Sequence, residues 1–359
     1  MVVSPTRLLK HSQPGCRIAA LAVGILTAPF AHAASERVVY TFKGGSDGAG
    51  PSAALLKVGG TLYGTTGYGG GTGCQNNGYG TVFKLTKAGD ETVLYSFQAA
   101  GTDLANPLAS LTYLGGTLYG TTYYGGGSDD CSFGCGAVFS VTPAGAETVV
   151  YPFTGGRTDG AFPTTTLINL RGTLYGTTGS GGASLAGLVF SVTPAGAETV
   201  VYSFQGGSDG AHPTGLLKVD GAFYGTTYGG GAGCQDYGCG TVFKMTPAGA
   251  KTVVYTFKGG SDGAFPNGLI KLGGDFYGTT ESGGGTGCQN AGGCGTVFKL
   301  TKAETETVLY SFQGDSDGGA PDAALINVGD TFYGTTVVGG PSDRGTVFSV
   351  TPAGVETVL

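Results

Sequence analysis

Short runs of alternating apolar and polar residues recur along most of the chain. In residues 81–86, Val82 and Lys84 alternate with Phe83 and Leu85. A period of two predicts a β-strand with one side buried. Beyond the N-terminal stretch, no segment shows helical periodicity over the ~11 residues that a helix prediction requires. The pattern predicts an all-β protein.

These runs belong to an internal repeat. The string Tyr-Gly-Thr-Thr begins at Tyr63, Tyr119, Tyr175, Tyr224, Tyr277 and Tyr333. Variants of GTVFKLT begin at Gly80, Gly136, Gly187, Gly240, Gly295 and Gly345. Variants of VVYSF then occupy residues 93–97, 149–153, 200–204, 253–257 and 308–312. Repetition at this period is typical of propellers and solenoids.

Each repeat is interpreted as four short strands. The pair Gly59-Gly60 separates a strand at 55–58 from the Tyr-Gly-Thr-Thr strand, and it suits a two-residue hairpin turn with positive φ angles. Four antiparallel strands repeated six times predict a six-bladed β-propeller of four-stranded blades. A β-solenoid is the alternative, although its repeats are usually shorter and lack such hairpins.

The N-terminal stretch is predicted to be separate from the fold. Arg7, Lys10 and Arg17 accompany an apolar run at 18–30 that ends in Ala31-His32-Ala33. This layout is typical of a secretory signal peptide, with an uncleaved anchor helix as the alternative. We therefore expect a signal peptide at 1–33, export to the periplasm or outside the cell, and no integral membrane segment after cleavage.

A single propeller domain is predicted over residues 34–359. The repeat cores lie near 38–97, 98–153, 154–204, 205–257, 258–312 and 313–359. Residues 38–42 form a free-standing copy of the fourth strand, and residues 356–359 form a clipped copy of the same strand. Either copy could complete the last blade and close the ring.

The repeat unit also resembles a known family. The succession LYGTT, GGG, GTVFKLT and ETVLYSF is similar to the Gloeo/Verruco (GloVer) tandem repeat of bacterial surface and secreted proteins. This resemblance extends from about Val38 to the end of the chain. It implies a repeat architecture and an exported location, and it brings no established activity and no catalytic residues.

Composition narrows the choice of partners. The chain has 73 Gly, whose fixed places in the repeat argue against disorder, and a formal net charge of −6. Removing residues 1–33 takes away three basic residues and leaves 15 against 24 acidic ones. A surface of that sign repels phosphate backbones, so nucleic acid is not expected as a partner.

An acidic residue recurs in the loops between blades: Asp47, Asp103, Asp159, Asp209, Asp262 and Asp317. One hypothesis is a ring of carboxylates that binds a polar ligand or calcium, a cation that prefers several oxygen ligands. The other is that each Asp caps its own turn by accepting hydrogen bonds from backbone amides. No cofactor is otherwise expected.

The cysteines favour local disulfides. The pairs are Cys131 with Cys135, Cys234 with Cys239, and Cys288 with Cys294. Export makes disulfides the expected state, while structural zinc is disfavoured because no histidine accompanies the pairs. Cys74 has no partner in its own loop and would be a free thiol or an intermolecular link.

Tyrosines in the Gly-rich loops are further candidate binding residues: Tyr68, Tyr123, Tyr124 and Tyr228. They could stack on sugar rings or peptides, or they could pack between neighbouring blades. The one histidine beyond the predicted signal peptide, His212, occupies the position of Phe162 and Phe265, which suggests ordinary variation at a half-buried site. No catalytic residue is predicted.

These observations favour an exported, non-catalytic scaffold that binds a glycan, a peptide or a protein of the cell surface through its loop-rich face. One alternative is a secreted hydrolase or lyase that acts on polysaccharide with acidic loop residues. That alternative predicts a blade whose loop departs from the others, and residues 102–106 of the second blade are the nearest case. A structural component of the cell envelope is the third hypothesis.

Overall fold

A computed structural model describes residues 37–71, 78–98, 103–234, 237–285, 288 and 293–359. The predicted signal peptide and Cys74 lie outside these residues. Residues from Arg37 to Leu359 form one compact unit. Within the described part of the chain, no helix is both long enough and apolar enough to span a bilayer.

The described residues form strands and a few single-turn 3₁₀ segments. The 3₁₀ segments are Gly45–Asp47, Gly207–Asp209 and Gly260–Asp262. The strands are β1 (Leu56–Val58), β2 (Thr61–Thr66), β3 (Thr81–Leu85), β4 (Glu91–Ser96), β5 (Leu104–Ala105), β6 (Thr112–Leu114), β7 (Thr117–Thr122), β8 (Tyr124–Gly125), β9 (Ala137–Val141), β10 (Glu147–Pro152), β11 (Gly160–Pro163), β12 (Ile168–Leu170), β13 (Thr173–Gly181), β14 (Leu188–Val192), β15 (Glu198–Ser203), β16 (Ala211–Val219), β17 (Ala222–Gly229), β18 (Thr241–Met245), β19 (Lys251–Thr256), β20 (Ala264–Pro266), β21 (Ile270–Leu272), β22 (Asp275–Ser282), β23 (Thr296–Leu300), β24 (Glu306–Ser311), β25 (Ile326–Val328), β26 (Thr331–Thr335), β27 (Val347–Val350) and β28 (Glu356–Val358).

These strands build a six-bladed β-propeller, as predicted. Each blade is an antiparallel sheet in which consecutive strands are neighbours, for example β1-β2-β3-β4 in the first blade and β16-β17-β18-β19 in the fourth. In blades three and five the first strand is interrupted, so that β11 and β12 both pair with β13, and β20 and β21 both pair with β22. The short pair β5-β8 adds to the second blade.

The first hairpin of blades two, three and four has the expected turn chemistry, with positive φ at both central residues, whereas in blades one, five and six only the first central residue has positive φ. In the fourth blade, Asp220 and Gly221 have φ angles of +51° and +81°. Both central residues of a type I′ turn need positive φ, a conformation that glycine and aspartate tolerate better than most residues. These turns place strands one and two in tight antiparallel register.

The Tyr-Gly-Thr-Thr string is explained by close packing inside the sheet. A methyl group on Gly176 would lie 2.6 Å from Cζ of Phe190 on the next strand, so only glycine fits under that ring. The last threonine, as in Thr66, shares a 2.8 Å hydrogen bond between hydroxyls with Thr81 and donates to the carbonyl of Tyr68. The string therefore fills the blade interior and satisfies its polar groups.

The hydrophobic core lies between blades. The phenylalanine that ends each fourth strand contacts the phenylalanine on the third strand of the next blade, with ring centroids 4.9–5.3 Å apart: Phe97–Phe139, Phe153–Phe190, Phe204–Phe243, Phe257–Phe298 and Phe312–Phe348. Five buried apolar clusters follow these five junctions. Packing between neighbours, repeated along the chain, holds the blades together.

The outer strand of the sixth blade comes from the C-terminal copy. β28 pairs with β27 through Phe348 and Val358. Residues 37–43 lie beside blade one and form no strand. Of the two candidates for this position, the structure therefore places the C-terminal copy in it.

Candidate functional site

The antiparallel topology separates two faces of the disc. The loops between blades and the loops between strands two and three leave from one end of the strands, which we call the loop face. The tight turns between strands one and two, and between strands three and four, lie at the other end, which we call the turn face. Loops presented by a rigid scaffold are the usual place for binding residues.

The recurrent aspartates lie in the loop-face connections and are bonded within the protein. Asp262 accepts a 2.7 Å hydrogen bond from the backbone N–H of Lys258 and a 2.5 Å bond from the Tyr255 hydroxyl. The other loops repeat the amide bond at 2.6–2.8 Å: Lys43 to Asp47, Gln98 to Asp103, Thr154 to Asp159, Gln205 to Asp209 and Gln313 to Asp317.

A tyrosine from the preceding fourth strand completes most of these arrangements. The pairs are Tyr40 with Asp47, Tyr151 with Asp159, Tyr202 with Asp209 and Tyr310 with Asp317. This geometry is that of turn caps, the second of our two hypotheses for these residues. Among the described residues, no group of three or more His, Cys, Asp or Glu side chains is placed to hold a metal ion. Calcium binding stays a prediction.

A glutamate from the next blade faces most of these aspartates, which the sequence analysis missed. Burial and the nearby aspartate raise the pKa of Glu147, Glu198 and Glu306 to about 7. One carboxylate oxygen is buried without a hydrogen-bond partner in Glu91, Glu147, Glu198, Glu306 and Glu356. The glutamate that opens the ETVV string in five of the six repeats was the available signal.

The fourth blade breaks this pattern with a lysine. Lys251 stands where the other blades have glutamate, and its Nζ lies 2.8 Å from Oδ1 of Asp209. The ammonium group also lies over three aromatic rings, 5.2–5.6 Å from their centroids. Burial acts to raise the pKa of Asp209, but hydrogen bonds from Lys251 and Tyr202 outweigh it and lower the pKa overall.

The loop tyrosines divide into packed and exposed side chains. Tyr123 stacks on Phe162 of the next blade at 5.0 Å, and Tyr228 stacks on Phe265 at 4.6 Å. Tyr124 contacts the Tyr123 ring edge to face at 4.7 Å and the Phe162 ring of the next blade at 6.0 Å, and it remains partly exposed. Packing between blades, the structural alternative in the sequence analysis, thus applies to three of the four tyrosines.

Three aromatic side chains on the loop face are open to solvent. Tyr68, Phe133 and Tyr237 are 55%, 60% and 74% exposed. They belong to the Gly-rich loops of blades one, two and four. Phe133 and Tyr237 were not singled out from the sequence because each lies between the two cysteines of a pair. Large exposed aromatic side chains on one face are typical of a binding surface.

A central channel lies at the inner edge of the blades. It is a cavity of about 400 Å³ to which all six blades contribute. The residue after the first proline of each blade lines it: Ser52, Leu108, Thr164, Thr214, Asn267 and Asp322. Burial raises the pKa of Asp322, the only acidic side chain among the described residues of this lining. The channel lining therefore combines hydroxyl, amide and carboxylate groups with apolar side chains such as Leu108 and Leu269.

A second acid, Glu281 of blade five, lies beside Tyr228 of blade four. Burial, followed by the carboxylates of Glu281 and Asp322, raises the pKa of Tyr228 to about 12. In the other blades the position of Glu281 holds Gly, Tyr or Val, and the position of Asp322 holds no acid. Glu281 in blade five and Asp322 in blade six therefore depart from the repeat, in addition to residues 102–106 of the second blade.

The three predicted disulfides are present. They join Cys131 to Cys135, Cys234 to Cys239 and Cys288 to Cys294, with Cα atoms 5.1–5.2 Å apart. The second cysteine of each pair is buried against the next inter-blade loop. Each bridge therefore holds a Gly-rich loop against its neighbouring blade.

His212 is exposed, so the expectation of a half-buried side chain was wrong. Its backbone has a φ of +55°, and Nδ1 lies 2.7 Å from the carbonyl oxygen of Gly179. Phe162 and Phe265 each stack on a tyrosine from the preceding blade. Blade three has Gly179 at the position of that tyrosine, so His212 has no aromatic ring to stack on.

These features define a repeat β-propeller with local disulfides. The family model of the Gloeobacter/Verrucomicrobia repeat matches residues 72–291 and 236–359, and the chain belongs to that family. No curated protein shows significant sequence similarity to it.

Several solved structures share a similar overall trace. The computationally designed Ika8 protein is 11% identical, with a TM-score of 0.47, and the match covers 89% of this chain and 88% of that one. A gluconolactonase from Xanthomonas campestris is 14% identical, with a TM-score of 0.41 and coverage of 73% and 76%. The GH43B protein of the Bacteroides ovatus xyloglucan PUL is 17% identical, with a TM-score of 0.39 and coverage of 84% and 66%.

Proposed function

We propose that the protein is an exported scaffold that binds glycans at its loop face. The observation that carries this proposal is the set of exposed aromatic side chains, Tyr68, Phe133 and Tyr237, on the loop face. Aromatic rings offer flat apolar surfaces for sugar rings, and the hydroxyl and amide groups of the central channel offer hydrogen bonds to sugar hydroxyls.

Spacing around the disc suits an extended ligand. The three aromatic residues come from three different blades, so a polysaccharide could contact several of them at once. Multiple weak contacts on one rigid body raise the overall affinity above that of a single site. An exported location is supported by the predicted signal peptide and by the three disulfides.

Affinity electrophoresis and calorimetry with soluble polysaccharides test the proposal. The variants Tyr68→Ala, Phe133→Ala and Tyr237→Ala should each weaken binding several-fold and leave the thermal midpoint unchanged. Tyr113→Ala is the matched control, because Tyr113 is also exposed but lies beside the turn-face hairpin. Equal losses in all four variants, or no retention by any polysaccharide, would argue against glycan binding at the loop face.

A hydrolase or lyase is the second candidate function, favoured by one observation. Glu281 and Asp322 both lie near enough to Tyr228 to raise its pKa, and Asp322 lines the central channel. Glycoside hydrolysis commonly uses two carboxyl groups that differ in protonation. A screen for reducing-sugar release tests it: turnover by the wild-type protein that is lost in Glu281→Gln and Asp322→Asn would support this candidate over non-catalytic binding.

A further inference from the structure

A second cavity lies between blades four and five, on the turn face. Its volume is about 280 Å³, and its lining comes from the strands and tight turns of these two blades. The apolar part of the lining consists of two valines and the rings of Tyr224 and Phe276, whose centroids are 4.4 Å apart. A cavity of this volume suits one small ligand rather than a long chain.

The polar part of the lining is mostly basic. Lys244, Lys271 and Lys302 all line the cavity, in a chain whose formal net charge is −6. The carboxylates of Asp220 and Glu304 line it as well. Asp220 pairs with Lys271 at 3.2 Å, but its side chain is 86% exposed, so this ion pair is weak. The local excess of positive charge favours an anionic ligand.

The other blade junctions show that this group of lysines is specific to one place. From the first junction to the fifth, the same position of the third strand holds Lys84, Ser140, Ser191, Lys244 and Lys299. The first strand of the following blade holds Tyr113, Asn169, Lys218, Lys271 and Asn327, and its second turn holds Pro143, Pro194, Pro247, Lys302 and Pro352. Lysine occupies all three positions between blades four and five and at most one position at each other junction.

Lys244 has no carboxylate partner. Its Nζ lies 5.7 Å from the ring centroid of Tyr224, the residue opposite it on the neighbouring strand. In blade five the equivalent Lys299 pairs with Asp275 at 2.8 Å, but blade four has Ala222 at the position of Asp275. The ammonium group of Lys244 is thus positioned by an aromatic ring and remains available to an anionic ligand.

The side chain of Lys302 lies across the first hairpin of its own blade. A methyl group on Gly274 would lie 3.4 Å from Cε and 3.7 Å from Nζ of Lys302. At the equivalent glycine of blades one to four, the same methyl group would meet no described atom within 4 Å: Gly60, Gly116, Gly172 and Gly221. None of the ion pairs among the described residues includes Lys302. A second unpaired ammonium group therefore borders the cavity.

Glu304 is a further departure from the repeat at this cavity. The other five blades have glycine at its position: Gly89, Gly145, Gly196, Gly249 and Gly354. Glu304 keeps the left-handed backbone of those glycines, with a φ of +61°, which costs energy for a residue that has a side chain. Its carboxylate can accept hydrogen bonds from hydroxyl groups. A ligand that carries hydroxyl groups as well as a negative charge therefore matches both kinds of polar group in the lining.

We propose that the cavity between blades four and five binds one acidic sugar ring, whose carboxylate or sulfate group contacts Lys244 and Lys302. The C–H groups of the ring face the apolar lining, and Glu304 accepts hydrogen bonds from the sugar hydroxyls. This site is separate from the exposed aromatic side chains of the loop face, because it lies at the other end of the strands. It adds a preference for charge that those side chains do not provide.

Calorimetry with three small probes tests the proposal: digalacturonate, which carries carboxylates, neocarrabiose sulfate, which carries a sulfate ester, and neutral neoagarobiose. We expect at least one charged probe to bind and neoagarobiose not to bind, and the tighter of the two charged probes identifies the anionic group. Lys244→Gln and Lys302→Gln should each weaken that binding by about tenfold, the value of one charge-assisted hydrogen bond.

Lys84→Gln and Lys87→Gln are the matched controls, since they remove the same charges at the same repeat positions of blade one. Both should leave the affinity unchanged, and so should Tyr68→Ala, which alters only the loop face. Retained binding in Tyr68→Ala separates this site from the proposed glycan surface. Equal losses in the lysine variants of blades one and four to five would overturn the proposal, as would no binding of either charged probe or equal affinity for neoagarobiose.

Discussion

The glutamates between blades should make the stability of the protein depend on pH. Glu306 is half-buried beside Asp262, and burial followed by that charge raises the pKa of Glu306 from 4.5 to about 7. The folded protein then holds the proton more tightly than the unfolded chain does. The resulting contribution to stability is fully present below pH 4.5 and is lost as the pH rises through about 7.

The size of this effect follows from the change in pKa. For a fully buried group, the change would correspond to ~3 kcal/mol. Solvent screening of a half-exposed pair reduces this to roughly 1–2 kcal/mol for each glutamate. Glu147 and Glu198 are likewise buried beside an aspartate and have the same pKa of about 7, so the three together should contribute roughly 3–6 kcal/mol.

Urea denaturation at pH 5 and pH 8.5 measures this contribution. Tyrosine fluorescence is the signal, because the chain contains no Trp. Glu306→Gln keeps a neutral side chain at every pH, so it should stabilise the protein at pH 8.5 relative to wild type and reduce the difference between the two pH values by about 1–2 kcal/mol. The triple variant with Glu147→Gln and Glu198→Gln should nearly remove the difference.

Glu304→Gln is the matched control for this series, since Glu304 lies two residues away on an exposed turn. This variant also removes one negative charge, but at an exposed position. Its free energy of unfolding should therefore depend on pH as that of the wild type does. If Glu306→Gln and Glu304→Gln behave alike, the pairing of carboxylates between blades does not govern the response to pH.

Three further substitutions test other parts of the structure. Lys251→Glu converts the salt bridge with Asp209 into the acid pair of the other blades. It should lower the free energy of unfolding by ~1–3 kcal/mol at pH 8.5 and by less at pH 5. Equal losses at both pH values in urea denaturation would contradict this expectation. Gly176→Ala should cost ~1–3 kcal/mol through overlap with Phe190, while Gly60→Ala, which has open space, should leave the thermal midpoint unchanged. Replacing Cys131 and Cys135 together by Ala should cost ~2 kcal/mol in the same assay, and a neutral result would show that this loop needs no covalent restraint.

The sequence predicted the blades because their determinants are local. The alternation in residues 81–86 and the turn at Asp220-Gly221 act within a few residues, so period and turn chemistry were enough to place strands and hairpins. The disulfides could be predicted from the sequence for the same reason, since each pair lies within one loop.

The candidate site was harder to predict because its contacts join different blades. Asp262 and Glu306 are 44 residues apart, and nothing in either string indicates that their carboxylates face each other. The stack of Tyr228 on Phe265 likewise depends on how neighbouring blades dock. The position of each candidate residue in the repeat could be assigned from the sequence, but its partner in the next blade could not.

Hydrogen exchange with and without a bound polysaccharide tests glycan binding at the loop face most directly. The account predicts slower exchange in the loops around Tyr68, Phe133 and Tyr237, with the turn-face hairpins unchanged. Protection centred on the turn face, or no protection by a polysaccharide that the protein retains in electrophoresis, would contradict it.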